Sequence, residues 1–191
     1  MGRFCLGLVA FFLILSVVSC APRHATLRDP MLKPSEGKAL VNFLRPSSFG
    51  GAVSITIWDG DRLIGVPRGK QAFQYECDPG QHLFISWSEF KSPVEAEPLP
   101  NRVYYIVLRP RMGGWRLRLH QVPVHPGHPL WEDALNWQKT LPNYEFDRSV
   151  LAQIAAENKA KIQEYLEVYK TKVGGTKHVQ YLRPEDGVPM D

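Results

Sequence analysis

The chain has 191 residues, 44% hydrophobic and 22% charged, with a formal net charge of +4. That balance fits one folded domain with extensions and excludes a disordered or collagen-like polymer. Charges of both signs along most of the chain argue against a nucleic-acid binder, which gathers its base into a stripe. Of the three cysteines, Cys5, Cys20 and Cys77, only Cys77 falls in the body, which excludes a disulfide framework there, and no CxxC zinc spacing occurs.

The N-terminus reads first. Arg3 precedes an almost unbroken apolar run from Phe4 to Val18. The run is about 15 residues, too short for the roughly 20 that span a bilayer as a helix. A basic start, an apolar core and small residues at the end are the layout of a secretory signal peptide. The last of them, Val17-Val18-Ser19-Cys20, resembles the lipobox of bacterial lipoproteins. The resemblance implies cleavage after residue 19, a diacylglyceryl group on the Cys20 thiol and acylation of the new amino end. More than one acyl chain is what stable anchoring needs. Ala21 follows the cysteine rather than an aspartate, so the resemblance implies the outer membrane, on its periplasmic face. Residues 1–19 are then the signal peptide. Residues 20–36, with scattered charge, three prolines and no apolar period, are expected to be a tether.

From Gly37 the period changes to two. Ala39, Val41 and Phe43 alternate with Leu40, Asn42 and Leu44. Val53, Ile55 and Ile57 share one face, as do Phe73, Tyr75 and Cys77, and again Leu83, Ile85 and Trp87. Residues 102–110 are apolar on both faces, as a central strand would be. Trp115, Leu117 and Leu119 oppose Arg116, Arg118 and His120. Such alternation predicts half-buried strands. Asp59-Gly60, Asp78-Pro79-Gly80 and Gly113-Gly114 are turn signals between them. The expectation is a mainly β fold, an antiparallel β-sandwich of about seven strands over residues 37–122.

Arg45, Pro46, Asp59, Gly60, Gly65, Pro79, Gly80, His82 and Tyr105 give this stretch a further likeness. It resembles β-sandwich domains of unknown function in bacterial lipoproteins and, distantly, PEGA-type surface modules. The resemblance implies a non-enzymatic envelope module and carries over no catalytic residue.

Residues 123–173 read as a helical extension. A short helix is expected from Leu130 to Lys139, with Pro129 at its first position and Glu132 and Asp133 near the positive end of its dipole. Trp131, Ala134, Leu135 and Gln138 share its face. A longer helix follows Asp147, a good N-cap, and ends at Gly174-Gly175. Leu151, Ile154, Ile162, Tyr165, Leu166 and Tyr169 form its apolar stripe. The stripe either covers the chain's own core or docks on a protein partner. Residues 174–191 are expected to be a flexible tail.

Chemistry is sparse. No GxSxG, HExxH, P-loop or GxGxxG word stands in the chain. His120, His125 and His128 match no metal-ligand spacing, and neither metal nor cofactor is expected. Cys77 reads as a small buried hydrophobe. Arg109, Arg111, Arg116 and Arg118, with Trp115, form a basic patch suited to a ligand or to anionic headgroups. The expected function is a membrane-anchored, non-enzymatic binding or assembly module of the cell envelope; the alternative is a receptor for an envelope glycan, peptide or other small ligand.

Overall fold

The computed structural model describes residues 25–28, 32–51, 53, 55–113 and 116–189. Residues 1–19, where a signal peptide is expected, lie outside the described residues, as do Cys20 and Trp115. The strands are β1 (Ala25–Leu27), β2 (Ala39–Arg45), β3 (Thr56–Asp59), β4 (Arg62–Gly65), β5 (Gln71–Cys77), β6 (His82–Trp87), β7 (Lys91–Ala96), β8 (Arg102–Gly113), β9 (Arg116–Val124), β10 (Asn143–Phe146), β11 (Gln180–Leu182) and β12 (Val188–Pro189). Among the described residues there are two α-helices, α1 (Trp131–Thr140) and α2 (Arg148–Val168); a π-helical turn, Tyr169–Val173, prolongs α2, and a 3-10 turn, Pro184–Asp186, lies between β11 and β12.

The strands form two stacked sheets. The first has seven strands in the order β1-β10-β5-β2-β8-β12, with β9 also on β8; the second has five, β11-β7-β6-β3-β4. Between them lies the main core. Val41, Phe43, Phe73, Tyr104 and Ile106 of the first sheet meet Ile57, Phe84 and Val94 of the second. Phe43 stacks on Phe73 with centroids 4.7 Å apart and meets Phe84 edge-on at 5.5 Å.

Each outer face carries a helix. α1 covers the far side of the first sheet, where Leu40, Leu44, Val107 and Val124 pack with Ala134, Trp131 and Leu135. β2 is therefore buried on both faces, although its sequence alternates. α2 covers the far side of the second sheet, on Trp58, Leu63 and Ile85. The result is a layered α/β/β/α body. Burying one Leu or Ile contributes about 1.5–3 kcal/mol, so the two outer layers are integral to stability.

Three expectations need correction. The sheets are mixed, not simply antiparallel: β2 runs parallel to β8, β10 to β5 and β11 to β7. Parallel neighbours need a long crossover, and the second sheet's strands supply it between β2 and β8. The tether of residues 20–36 is not free throughout, because β1 pairs with β10, and the Leu32 and Ser35 amides donate to Gln74 and Glu76. The tail of residues 174–191 is not a loose end. β11 and β12 join the two sheets, and Tyr104 donates its hydroxyl to the Pro184 carbonyl at 3.0 Å. Gly187 passes so close to Tyr104 that a Cβ would sit 2.4 Å from the ring.

Local chemistry accounts for the remaining joints. Gly60 takes φ 55° in the β3–β4 hairpin, a conformation that glycine adopts without strain. Asp147 caps α2 by accepting the Ser149 amide at 2.8 Å. α1 begins at Trp131, so Pro129 lies just ahead of its N-cap, Leu130.

Candidate functional site

One end of the sandwich opens into a cleft of about 910 Å³, where β2 begins and β5 ends. Asp59 closes β3 and His82 opens β6, the neighbouring strand of the second sheet. Tyr75 reaches across from β5 in the first sheet. Its hydroxyl donates to Asp59 Oδ2 at 2.9 Å, and His82 Nδ1 meets the same oxygen at 2.8 Å. One carboxylate thus ties the two sheets together at the cleft floor.

His82 is held at both nitrogens. Nε2 lies 2.9 Å from the Asp78 carbonyl. Carboxylate and carbonyl are both acceptors, an arrangement that favours donation from both ring nitrogens, the imidazolium form. The Asp59 hydrogen bond raises the His82 pKa above its ordinary value, against the opposing effect of burial. The ring also stacks on Phe84 at 5.7 Å. Burial, then Asp59, pushes the Tyr75 hydroxyl well above its ordinary pKa.

Around this floor, Glu95 accepts a short hydrogen bond from the Tyr169 hydroxyl. Lys38 Nζ pairs with Asp78 Oδ1 at 2.5 Å at the rim. The Arg62 guanidinium lies 5.8 Å from the centre of the Tyr75 ring. Glu97, Arg183 and Tyr181 complete the mouth, Tyr181 being 47% exposed. The lining thus combines aromatic faces with charged groups of both signs. Such a surface can orient a polar ligand and stack a ring or an apolar edge.

The residues singled out in the sequence fall elsewhere. Arg109, Arg111 and Arg118 are exposed on the β8–β9 ribbon, at the end of the sandwich opposite the cleft. Arg116 is on β9 of the same ribbon. Arg118 lies 4.3 Å from the centre of the Phe90 ring. In α2, Ile162 is buried, and Leu151, Ile154, Tyr165 and Leu166 are half-buried against Trp58, Leu63 and Ile85. The apolar stripe is therefore seated on the chain's own sheet, and Tyr169 reaches the cleft. Cys77 is in the main core with Phe73, and burial pushes its thiol up to about 12. Among the described residues, no group of three or more His, Cys, Asp and Glu side chains is placed to hold a metal ion.

Asp59, Tyr75 and His82 were not foreseen as a unit. By sequence, Asp59 is a turn signal, Asp59 and His82 are two of the residues that carry the family likeness, and Tyr75 is an inward strand position. Compared with known proteins, the chain matches no family model and no curated protein sequence.

Proposed function

We propose that the chain is a lipoprotein of the bacterial cell envelope, anchored through Cys20 at the periplasmic face of the outer membrane, whose β-sandwich binds a small ligand in the cleft. The cleft carries this reading. Its volume falls in the usual range for ligand sites, and its polar groups converge on one floor. The ligand is an envelope glycan, a peptide or a small molecule with polar groups and a stacking face.

The module is non-enzymatic. His82, the group best placed for acid–base chemistry, has both nitrogens engaged, and Cys77 is a buried thiol rather than a thiolate. Binding through the cleft is favoured over assembly through α2, because the helix's apolar stripe is already packed.

Native mass spectrometry on the protein extracted from its own membranes in mild detergent tests the reading. A bound small molecule that is lost in Tyr181→Ala supports it. A ligand-free protein, or a ligand indifferent to that change, refutes the cleft. Cys20→Ala should shift the protein out of the membrane fraction; retention there refutes the anchor.

A further inference from the structure

The β8–β9 ribbon breaks a rule of strand pairing. Arg111 stands directly across from Arg118, and Arg109 across from His120. Like charges placed directly opposite, as Arg111 and Arg118 are, destabilise a pair of strands. Nothing on the ribbon offsets them, since no acidic residue occurs from Pro98 to Trp131. Among the described residues, none of the ion pairs involves these arginines. All four side chains are exposed, and alternation puts them on the face of the first sheet that carries α1.

The positive field is felt nearby. His120 is held below its ordinary pKa by burial and then by Arg111 and Arg118, and His128 by burial, His125 and Arg109. Arg118 rests on the Phe90 ring, whereas Arg109 and Arg111 have no acidic partner among the described residues, and a local rule broken without compensation marks a functional surface. Guanidinium groups match the geometry of carboxylate and phosphate.

The topology says which way the ribbon faces. β1 runs in the same direction as β2 and β8, through the pairings with β10 and β5. Ala25, the first residue of β1, therefore points its N-terminal side toward the cleft end, where β2 and β8 begin. Ala25 stands at about the level of Tyr104, so Arg111 lies roughly 23 Å further along the strands. β1 and β8 are four strand spacings apart in the sheet order, or roughly 19 Å. The five residues from Cys20 to Ala25 reach at most about 17 Å. A body tethered this way directs its arginines away from the bilayer that holds the anchor.

We infer that the arginine ribbon docks on an acidic cell-wall polymer facing the anchoring membrane, pairing Arg109, Arg111 and Arg118 with its repeating carboxylate or phosphate groups. This rests on the lipid-anchored reading for the ribbon's orientation, and is independent of the ligand in the cleft.

The test is co-sedimentation of the full mature protein, in detergent micelles, with purified peptidoglycan sacculi. Exposed ion pairs contribute up to about 1 kcal/mol each, roughly fivefold per arginine and on the order of 100-fold for three. The triple variant R109E/R111E/R118E should lose up to about that factor, and 0.5 M salt should mimic it; circular dichroism confirms that the variant is folded. Single Arg111→Gln serves if the triple variant fails to fold, with roughly fivefold expected. In parallel, amide exchange across residues 109–120 is followed on protein reconstituted in phosphatidylcholine vesicles with and without phosphatidylglycerol. No sedimentation with sacculi, or sedimentation unchanged in the variants, overturns the inference. So does strong protection of the ribbon by anionic vesicles alone, which would make lipid headgroups its partner. Loss of the Cys20 anchor or of the cleft ligand would leave the sacculus result unchanged, which separates this failure from theirs.

Discussion

Replacing Ile162 by Ala probes whether α2 belongs to the fold. Ile162 is 1% exposed and sits on Trp58, Leu63 and Ile85, themselves at most 5% exposed. The substitution removes three buried carbons, worth about 0.8 kcal/mol each in transfer alone. The cavity left beneath the helix adds to this, giving about 3 kcal/mol, inside the 2–5 kcal/mol range of such changes. Urea unfolding followed by far-ultraviolet circular dichroism reads it directly. With a slope of about 2 kcal/mol/M, the midpoint should fall by roughly 1.5 M while the slope stays constant. Lys159→Ala, on the exposed side of α2, should shift the midpoint by less than about 0.3 M. If Ile162→Ala matches Lys159→Ala, the helix is not seated, and its stripe is free for a partner.

Other expectations follow from the cleft and the C-terminal strands. The His82 pKa is raised above its ordinary 6.5 in the folded state. Its contribution to stability is therefore complete below pH 6.5 and is lost as pH rises through the folded value. His120 behaves oppositely, because its pKa is lowered. A histidine NMR titration should place His82 above 6.5 and His120 below it; His82 at or under 6.5 would contradict the double-donor geometry. Gly187→Ala should cost about 1–3 kcal/mol by thermal or chemical unfolding, because the new methyl group collides with the buried Tyr104 ring. An unchanged midpoint would mean that residues 184–189 do not pack as described. Cys77 should resist iodoacetamide at pH 8 in the folded protein and react in urea, since burial holds it as a thiol. Rapid labelling without denaturant would refute its burial.

Much of the fold was legible because its main strands alternate strictly. Phe73 and Cys77 point inward together, as spacing predicts, and Leu83, Ile85 and Trp87 share the face that receives α2. Both helices are where their apolar periods put them, and Ala134 and Gln138 share the buried face of α1, Gln138 accepting from the Tyr105 hydroxyl at 2.7 Å. The short strands were harder to read. β1, β10, β11 and β12 span four residues or fewer, too few to show a period. β7 contains Pro93, which argues against a strand by sequence; it is tolerated because β11 begins pairing only at Val94, leaving no partner for the missing amide. Parallel pairing leaves no trace in side-chain period, so the mixed sheets were invisible. The cleft was hidden for a related reason. Its floor joins residues 59, 75 and 82 from three strands and two sheets, and no local spacing connects them.

The most direct test of the cleft as the working site is photo-crosslinking in living cells at two exposed positions. Tyr181 is 47% exposed at the cleft mouth, and Val168 is 39% exposed on α2. With a photoreactive amino acid at each position in turn, mass spectrometry should find a small-molecule, glycan or peptide adduct at position 181 and none at 168. No adduct at 181, or the same protein partner captured at both, would contradict the account.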